Sequence, residues 1–191
     1  MTSVISRLVA GCRPDGASVV EASGPLAPVS VGALPGVEFY RIWGRDDAPS
    51  TGDGGTEASF APYFPGAGGT RFVVLRWPPE TGRGPQGDPD ALRAEAEQVF
   101  PGLLQALAPD EKGHHATATV DMSVVLEGEL WLRLEDGSET RLTPGSCVVL
   151  RGNRHSWSNR GAEPAVMASV FIGANDTLGR PGPGRPAPGP G

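Results

Sequence analysis

The sequence predicts an all-β fold of the sandwich or barrel type. Short runs rich in β-branched and aromatic residues fill the second half of the chain, and several alternate between apolar and polar side chains. Strands of this length with turns at even spacing are typical of two packed sheets, or of one sheet closed on itself. The turn signals are Glu127-Gly128, Asp136-Gly137, Pro144-Gly145, Gly152-Asn153 and Arg160-Gly161.

Composition narrows the class of protein further. The 191 residues suffice for one domain with a core, and 28 Gly and 20 Pro place much of the chain in turns and loops. The net charge of -6 argues against a nucleic-acid partner and against an anionic membrane surface. Two cysteines without a Cys-x-x-Cys motif exclude a disulfide scaffold and a thiolate zinc site. We expect a cytoplasmic protein with no membrane-spanning segment.

Three regions follow from the pattern along the chain. Residues 1–66 contain short strand patterns and a long Gly- and Pro-rich loop, and we predict that they form an N-terminal β extension. Residues 67–175 carry the evenly spaced strands of the main domain. Residues 176–191 are dominated by Pro and Gly and cannot bury enough apolar surface to offset their ordering entropy, so we predict a disordered tail.

One short helix interrupts the strand pattern. Asp88 can cap its first turn and Pro89 suits the first helical position. Leu92, Ala96 and Phe100 then fall on one face at helical spacing, which indicates a packing role.

The run over residues 115–125 places polar side chains in a row. Side chains two apart share one face of a strand, so one face carries five polar side chains in a row. The other face carries Val120, Met122 and Val124, and we expect it to pack against another protein layer. A buried polar row must be paired, hydrated or ligating, and inside a small barrel it lines the space where a ligand sits. The row consists of His115, Thr117, Thr119, Asp121 and Ser123.

A second short strand adds another imidazole, since His155 and Trp157 share a face. His115, Asp121 and His155 on neighbouring strands would form a facial triad with open positions, which suits Fe(II) and other divalent metals such as Zn, Mn or Ni. Thr117, Thr119, Ser123 and Trp157 would then line the pocket around the metal.

The first of these segments resembles the first motif of the cupins. That motif contains His-x-His, then Glu, then six residues and Gly. In this chain Asp121 stands at the Glu position before Gly128, His115 falls on the first His, and Thr117 replaces the second His. Pro109 replaces the Gly with which the motif opens.

The second segment resembles the second cupin motif, which contains Pro-x-Gly, two residues, His, three residues and Asn. Residues 152–155 match its Gly-x-x-His and Asn159 follows at the matching distance. Leu150 stands in place of the motif's Pro, and Gly145 opens the motif one residue closer than the pattern asks.

The resemblance covers about residues 71–173. It implies a jelly-roll β-barrel, a divalent metal, a small-molecule substrate and a homodimer. Cupins include oxygenases, isomerases and cyclases, and the shared fold does not decide among them. The loss of one His ligand at Thr117 leaves a second hypothesis open, in which a metal-free cupin binds a small ligand without catalysis.

Overall fold

Ten strands and two short helices make up the part of the chain described by the computed structural model, which covers residues 4–51, 61–80, 84–107 and 113–177. This confirms the all-β class. The helices are α1 (Pro89–Val99) and α2 (Leu103–Ala106). The strands are β1 (Ser6–Cys12), β2 (Ser18–Pro25), β3 (Glu38–Arg45), β4 (Thr70–Trp77), β5 (Thr119–Glu127), β6 (Leu130–Leu134), β7 (Glu139–Leu142), β8 (Cys147–Arg151), β9 (His155–Ser158) and β10 (Ala165–Gly173).

The strands form two packed sheets and a separate hairpin. The larger sheet has the order β3-β4-β10-β5-β8, the smaller has the order β7-β6-β9, and β1 and β2 pair only with each other. All of these pairs are antiparallel. The arrangement is a jelly-roll sandwich. In the described residues the named strands of the two sheets do not pair with each other into a closed barrel, and an isolated antiparallel bridge between His115 and His155 ties β9 to the segment before β5.

Glycine makes the turn between the two sheets possible. Gly128 lies between β5 and β6 with a φ of 70°, and a Cβ atom there would stand 2.8 Å from the Cα atom of Ala165. A side chain at this position would therefore meet both an unfavourable backbone conformation and the backbone of the neighbouring strand.

Helix α1 forms as the sequence predicts. The carboxylate of Asp88 accepts a hydrogen bond from the backbone N–H of Asp90, and Pro89 begins the helix. Ala96 and Phe100 are fully buried, and the ring of Phe100 packs against Phe39 with a centroid distance of 4.8 Å. The helix therefore covers one side of the core.

The predicted N-terminal extension divides into two parts in space. The β1–β2 hairpin lies outside the larger sheet, where Ile5 and Leu26 pack against a small cluster that includes Tyr40 and Val74. Strand β3 instead pairs with β4 as part of the larger sheet. The residue-66 boundary stays a prediction, since the described residues on either side of it share one sheet and one core.

One prediction about β5 is wrong. Its apolar row does not pack beneath another layer, because Met122 remains 44% exposed on the outer face of the larger sheet. Met122 lies opposite Val149 on one side and Val170 on the other, and Val149 is 62% exposed. The outer surface of the larger sheet around Met122 and Val149 is thus apolar and open, while the polar row faces the interior.

Two predicted features fall partly or wholly outside the described residues. The Pro- and Gly-rich tail from residue 178 onward lies there, and so does residue 109, which replaces the opening Gly of the first motif. Among the described residues no helix has the length and apolar character needed to cross a membrane.

Candidate functional site

The polar row of residues 115–123 lines the interior between the two sheets. Thr117, Thr119, Asp121 and Ser123 are each less than 9% exposed, although their side chains are polar. The antiparallel register of β5 with β10 and β8 directs this row inward, since Met122 and its neighbours on the alternate face point outward. The interior therefore carries a strip of hydrogen-bonding groups along one strand.

Two histidines meet at one end of this strip. His115 and His155 exchange a pair of backbone hydrogen bonds of 2.9 Å, so their side chains project from opposite strands to the same face. Their ring centroids lie 4.4 Å apart, and the ring of Trp157 stands edge-on to His155 at 6.0 Å. Pairing between distant segments thus places two imidazoles side by side.

The orientation of His155 is set by the backbone of the preceding turn. Its Nδ1 atom lies 3.0 Å from the carbonyl oxygen of Asn153. A carbonyl can only accept, so Nδ1 carries the hydrogen and Nε2 is left with a free lone pair. This hydrogen bond holds the ring and prepares Nε2 to accept a hydrogen bond or to bind a cation.

Burial keeps both imidazoles neutral. It lowers the pKa of His115 to about 3, with smaller contributions from the nearby His155, Arg154 and His114. Burial also lowers the pKa of His155, although its hydrogen bond to Asn153 acts in the opposite direction. At neutral pH both rings therefore offer lone pairs rather than positive charge.

Asp121 sits farther along the strip in a chain of hydroxyl groups. The Oγ1 atom of Thr119 donates to Oδ1 of Asp121 at 2.5 Å, and Oγ1 of Thr117 lies 2.7 Å from Oγ1 of Thr119. Burial raises the pKa of Asp121 from 3.8 to about 6, and the hydrogen bond from Thr119 limits the rise. The carboxylate is held by its own strand.

A cavity of about 230 Å³ opens against these groups. Its polar wall includes His115, Thr117, Asp121, Ser123 and His155, whereas Thr119 does not line it. Among the described residues, no Lys or Arg side chain lines the cavity. The rest of the lining is mainly apolar and comes from distant parts of the chain, including Phe39, Tyr63, Phe64, Leu103, Leu107, Trp157, Met167 and Phe171.

The part of the chain that contains the polar strip and both histidines matches a known protein family. A family model described as a cupin domain matches residues 103–171, which include the polar strip, both histidines and the whole of strands β5 to β9. Residues 103–171 are therefore a cupin domain.

Part of the chain is similar to curated fungal proteins. The chain is 47% identical over 45 residues to oryzines biosynthesis cluster protein J of Aspergillus oryzae, covering 24% of this chain and 25% of that protein. It is 34% identical over 65 residues to the cupin-domain-containing oxidoreductase fogC of Aspergillus ruber, covering 32% of each chain. The chain therefore matches only a quarter to a third of the length of these relatives.

Among solved structures, a putative ethanolamine utilization protein Q from Salmonella typhimurium is similar to this cupin. The two share 13% sequence identity, and the alignment has a TM-score of 0.44 over 91% of this chain and 100% of that one.

The predicted metal ligands are only partly brought together. His115 and His155 are adjacent, but the described residues contain no group of three or more His, Cys, Asp or Glu side chains able to share a metal ion. Asp121 is engaged with Thr119 instead. Two neutral imidazoles fit a divalent cation, whereas the predicted three-residue set is not assembled in this geometry.

Sequence reasoning missed several groups at the site. The backbone of Asn153 orients His155, and Ser169 on β10 shares a 2.8 Å hydrogen bond with Ser123. The alternation of β10 could have placed Ser169 inward, but no local signal identifies a backbone carbonyl as a partner. Asn159 is structural, because its side-chain amide donates to the carbonyl oxygens of Trp77 and Glu163.

Proposed function

We propose that this cupin is a metal-dependent enzyme that acts on a small organic molecule bound in the cavity between the sheets. The observation that carries the proposal is the pair of adjacent, neutral imidazoles of His155, which is buried, and His115, which is half-buried, on the wall of a largely apolar cavity. The relatives named for a biosynthesis cluster and for an oxidoreductase support a role in small-molecule chemistry, although they match only part of the chain.

The low pKa of His115 favours a ligand role over a role as a general base. A base works best when its pKa lies near the operating pH, and an imidazole with a pKa of about 3 binds a proton weakly. The same neutral lone pair is what a divalent cation binds. For His155, the hydrogen bond from Nδ1 to the Asn153 carbonyl is the second contact that metal-binding histidines typically make.

His115 and His155 would therefore hold the metal, with Fe(II) favoured and Zn, Mn or Ni as alternatives. When bound, such a cation polarises a substrate oxygen or supplies a redox centre. The protein supplies the remainder of the site: apolar walls exclude water, and Trp157 and the polar strip orient the molecule.

The dimensions of the cavity limit the substrate. A cavity of roughly 150 Å³ is enough for benzene, so about 230 Å³ suits one substituted ring or a short branched chain. The absence of Lys and Arg from the described lining disfavours an anionic head group.

A second candidate function is a metal-free cupin that binds a small ligand without catalysis. The observation that favours it is that no group of three or more His, Cys, Asp or Glu side chains in the described ranges is placed to hold a metal ion. Both candidates use the same cavity and differ in whether a cation occupies the histidine pair.

The metal content of the purified protein distinguishes the metal-dependent enzyme from the metal-free binding protein. Untagged protein prepared without chelator would be analysed by plasma mass spectrometry beside His115→Ala, His155→Ala and a His114→Ala control, since His114 does not line the cavity. We expect near-stoichiometric metal in the wild type and in the control, and loss in the other two variants. Background metal in a folded wild type would contradict the metal proposal and leave the binding module.

A further inference from the structure

We propose that Asp121 and Thr119 orient the hydroxyl group of Thr117 as a hydrogen-bond acceptor toward the cavity, which selects molecules that carry hydroxyl or N–H donors. The inference rests on the proposed binding of a small molecule in this cavity. It gives Asp121 a positioning role through its strand neighbours, in place of the metal-ligand role predicted from the sequence.

The direction of the hydrogen bonds follows from the number of hydrogens available. A threonine hydroxyl has one hydrogen, and Thr119 donates it to Oδ1 of Asp121 at 2.5 Å. The 2.7 Å contact between Thr117 and Thr119 must then be donated by Thr117. The hydrogen of Thr117 is thereby used, and only its lone pairs remain.

Of the two threonine hydroxyl groups, the one that meets the bound molecule belongs to Thr117. It lines the cavity together with Asp121, whereas Thr119 does not. All three side chains are at most 6% exposed, so water has little opportunity to reorder their hydrogen bonds. Thr119 therefore acts on the ligand only through the orientation that it gives to Thr117.

One imidazole on the same cavity wall also presents an acceptor. Nε2 of His155 has a lone pair, because Nδ1 donates to Asn153. Ser123 and Ser169 use one of their two hydroxyl hydrogens in the bond between them, which leaves one donor on that part of the wall. Thr117 and Nε2 of His155 therefore offer acceptors to the cavity, and an apolar body with hydroxyl or N–H groups on one edge complements them.

The experiment compares two probes that differ in one donor. Phenol and anisole both contain one ring, and only phenol can donate a hydrogen bond. Their dissociation constants would be measured at pH 8 by ligand-observed NMR for wild type, Thr119→Val, Thr119→Ser and Thr140→Val. Thr140 is exposed on β7, so its variant controls for the loss of a threonine hydroxyl elsewhere. Metal content would be recorded for every sample.

We expect the wild type to prefer phenol by about threefold to tenfold, the range of one neutral hydrogen bond. Thr119→Val leaves Thr117 free to turn its hydrogen toward the cavity, so the preference should disappear or reverse. Thr119→Ser and Thr140→Val should keep it. Metal content should be the same in the Thr119 variants and in an Asp121→Asn variant.

Three results would overturn the inference. The first is an unchanged preference for phenol in Thr119→Val, and the second is equal loss of preference in folded Thr119→Ser. The third is loss of metal in Asp121→Asn with retention in Thr119→Val, which would make Asp121 a ligand. Failure of the proposed function would look different. If the wild type binds neither phenol nor anisole, the cavity does not bind small organic molecules, and both the proposed function and this inference are wrong. If the wild type binds the probes but contains no metal, only the proposed metal dependence is wrong.

Discussion

Replacement of Asp121 by asparagine should stabilise the protein at high pH. The carboxyl is 6% exposed, and its best-defined contact is the hydrogen bond from Thr119. Asparagine has nearly the same shape, and its side-chain oxygen can accept the same hydrogen bond. The main change is therefore the removal of a buried negative charge.

The size of the effect follows from the pKa of Asp121. A rise from 3.8 to about 6 on folding corresponds to about 3 kcal/mol, at about 1.36 kcal/mol for each pH unit. The folded state binds the proton more tightly, so this contribution to stability is fully present below pH 3.8 and is lost as the pH rises through 6. The asparagine variant has no such loss.

Urea unfolding monitored by tryptophan fluorescence measures this difference. Wild type, Asp121→Asn and an exposed-site control, Asp47→Asn, would be compared from pH 4 to pH 8 in buffer containing EDTA, so that no metal contributes. We expect the free energies of unfolding of wild type and Asp121→Asn to be similar at pH 4. The variant should gain up to about 3 kcal/mol by pH 7 and remain level above it.

Two results would contradict this prediction: a difference in the free energy of unfolding between the two proteins that is independent of pH, or an Asp121→Asn variant that is less stable than the wild type at pH 8. Either result would mean that the carboxylate is compensated in the folded protein by a favourable interaction larger than its cost of burial. A pH-dependent gain of similar size in Asp47→Asn would point to net charge as the cause.

Three further predictions test other parts of the structure. The imidazole ring of His115 should stay neutral from pH 7 to pH 5 in metal-free protein, as read by nitrogen NMR, because burial lowers its pKa to about 3, and protonation near pH 6.5 would contradict this. Burial lowers the pKa of His155 as well, so its ring should take up a proton at a lower pH than an exposed histidine does. Gly128→Ala should lower the free energy of unfolding by about 2 kcal/mol or more in urea titrations, while Gly84→Ala, which meets no atom within 4 Å, should have little effect. Homodimerisation remains a prediction, and we expect the subunits to meet at the exposed apolar surface around Met122 and Val149. Light scattering should show a dimer in the wild type. The Val149→Glu variant should be a monomer, whereas Thr140→Glu, at an exposed position on β7, should remain a dimer.

Local pattern was sufficient for most of the fold. Alternation of side chains placed His115, Asp121 and Ser123 on one face of one strand, and the structure has them on the inward side. Asp88 and Pro89 determine the start of α1, because a cap and a first-turn proline act within a few residues. The turn glycines adopt positive φ angles, which is also a property of the residue itself. These features depend on neighbours in the chain, so the sequence alone predicts them.

Tertiary structure decided which face of each strand is covered. Periodicity shows that Val120, Met122 and Val124 share a side, but only the packing of the two sheets determines that this side faces outward. The same holds for the cavity, whose apolar walls include Tyr63, Phe64 and Leu103 from segments far from the motifs.

The candidate site shows most clearly what the sequence determines and what only the folded chain decides. The sequence determined the kinds of side chain on the polar strip and, through the cupin resemblance, the family. It could not show that His115 and His155 meet while Asp121 is held by Thr119, because ligand geometry depends on register between distant strands and on the orientation of each side chain. The hydrogen bond from His155 to the backbone of Asn153 is decided only in the folded chain, where the direction of one carbonyl determines which nitrogen is free.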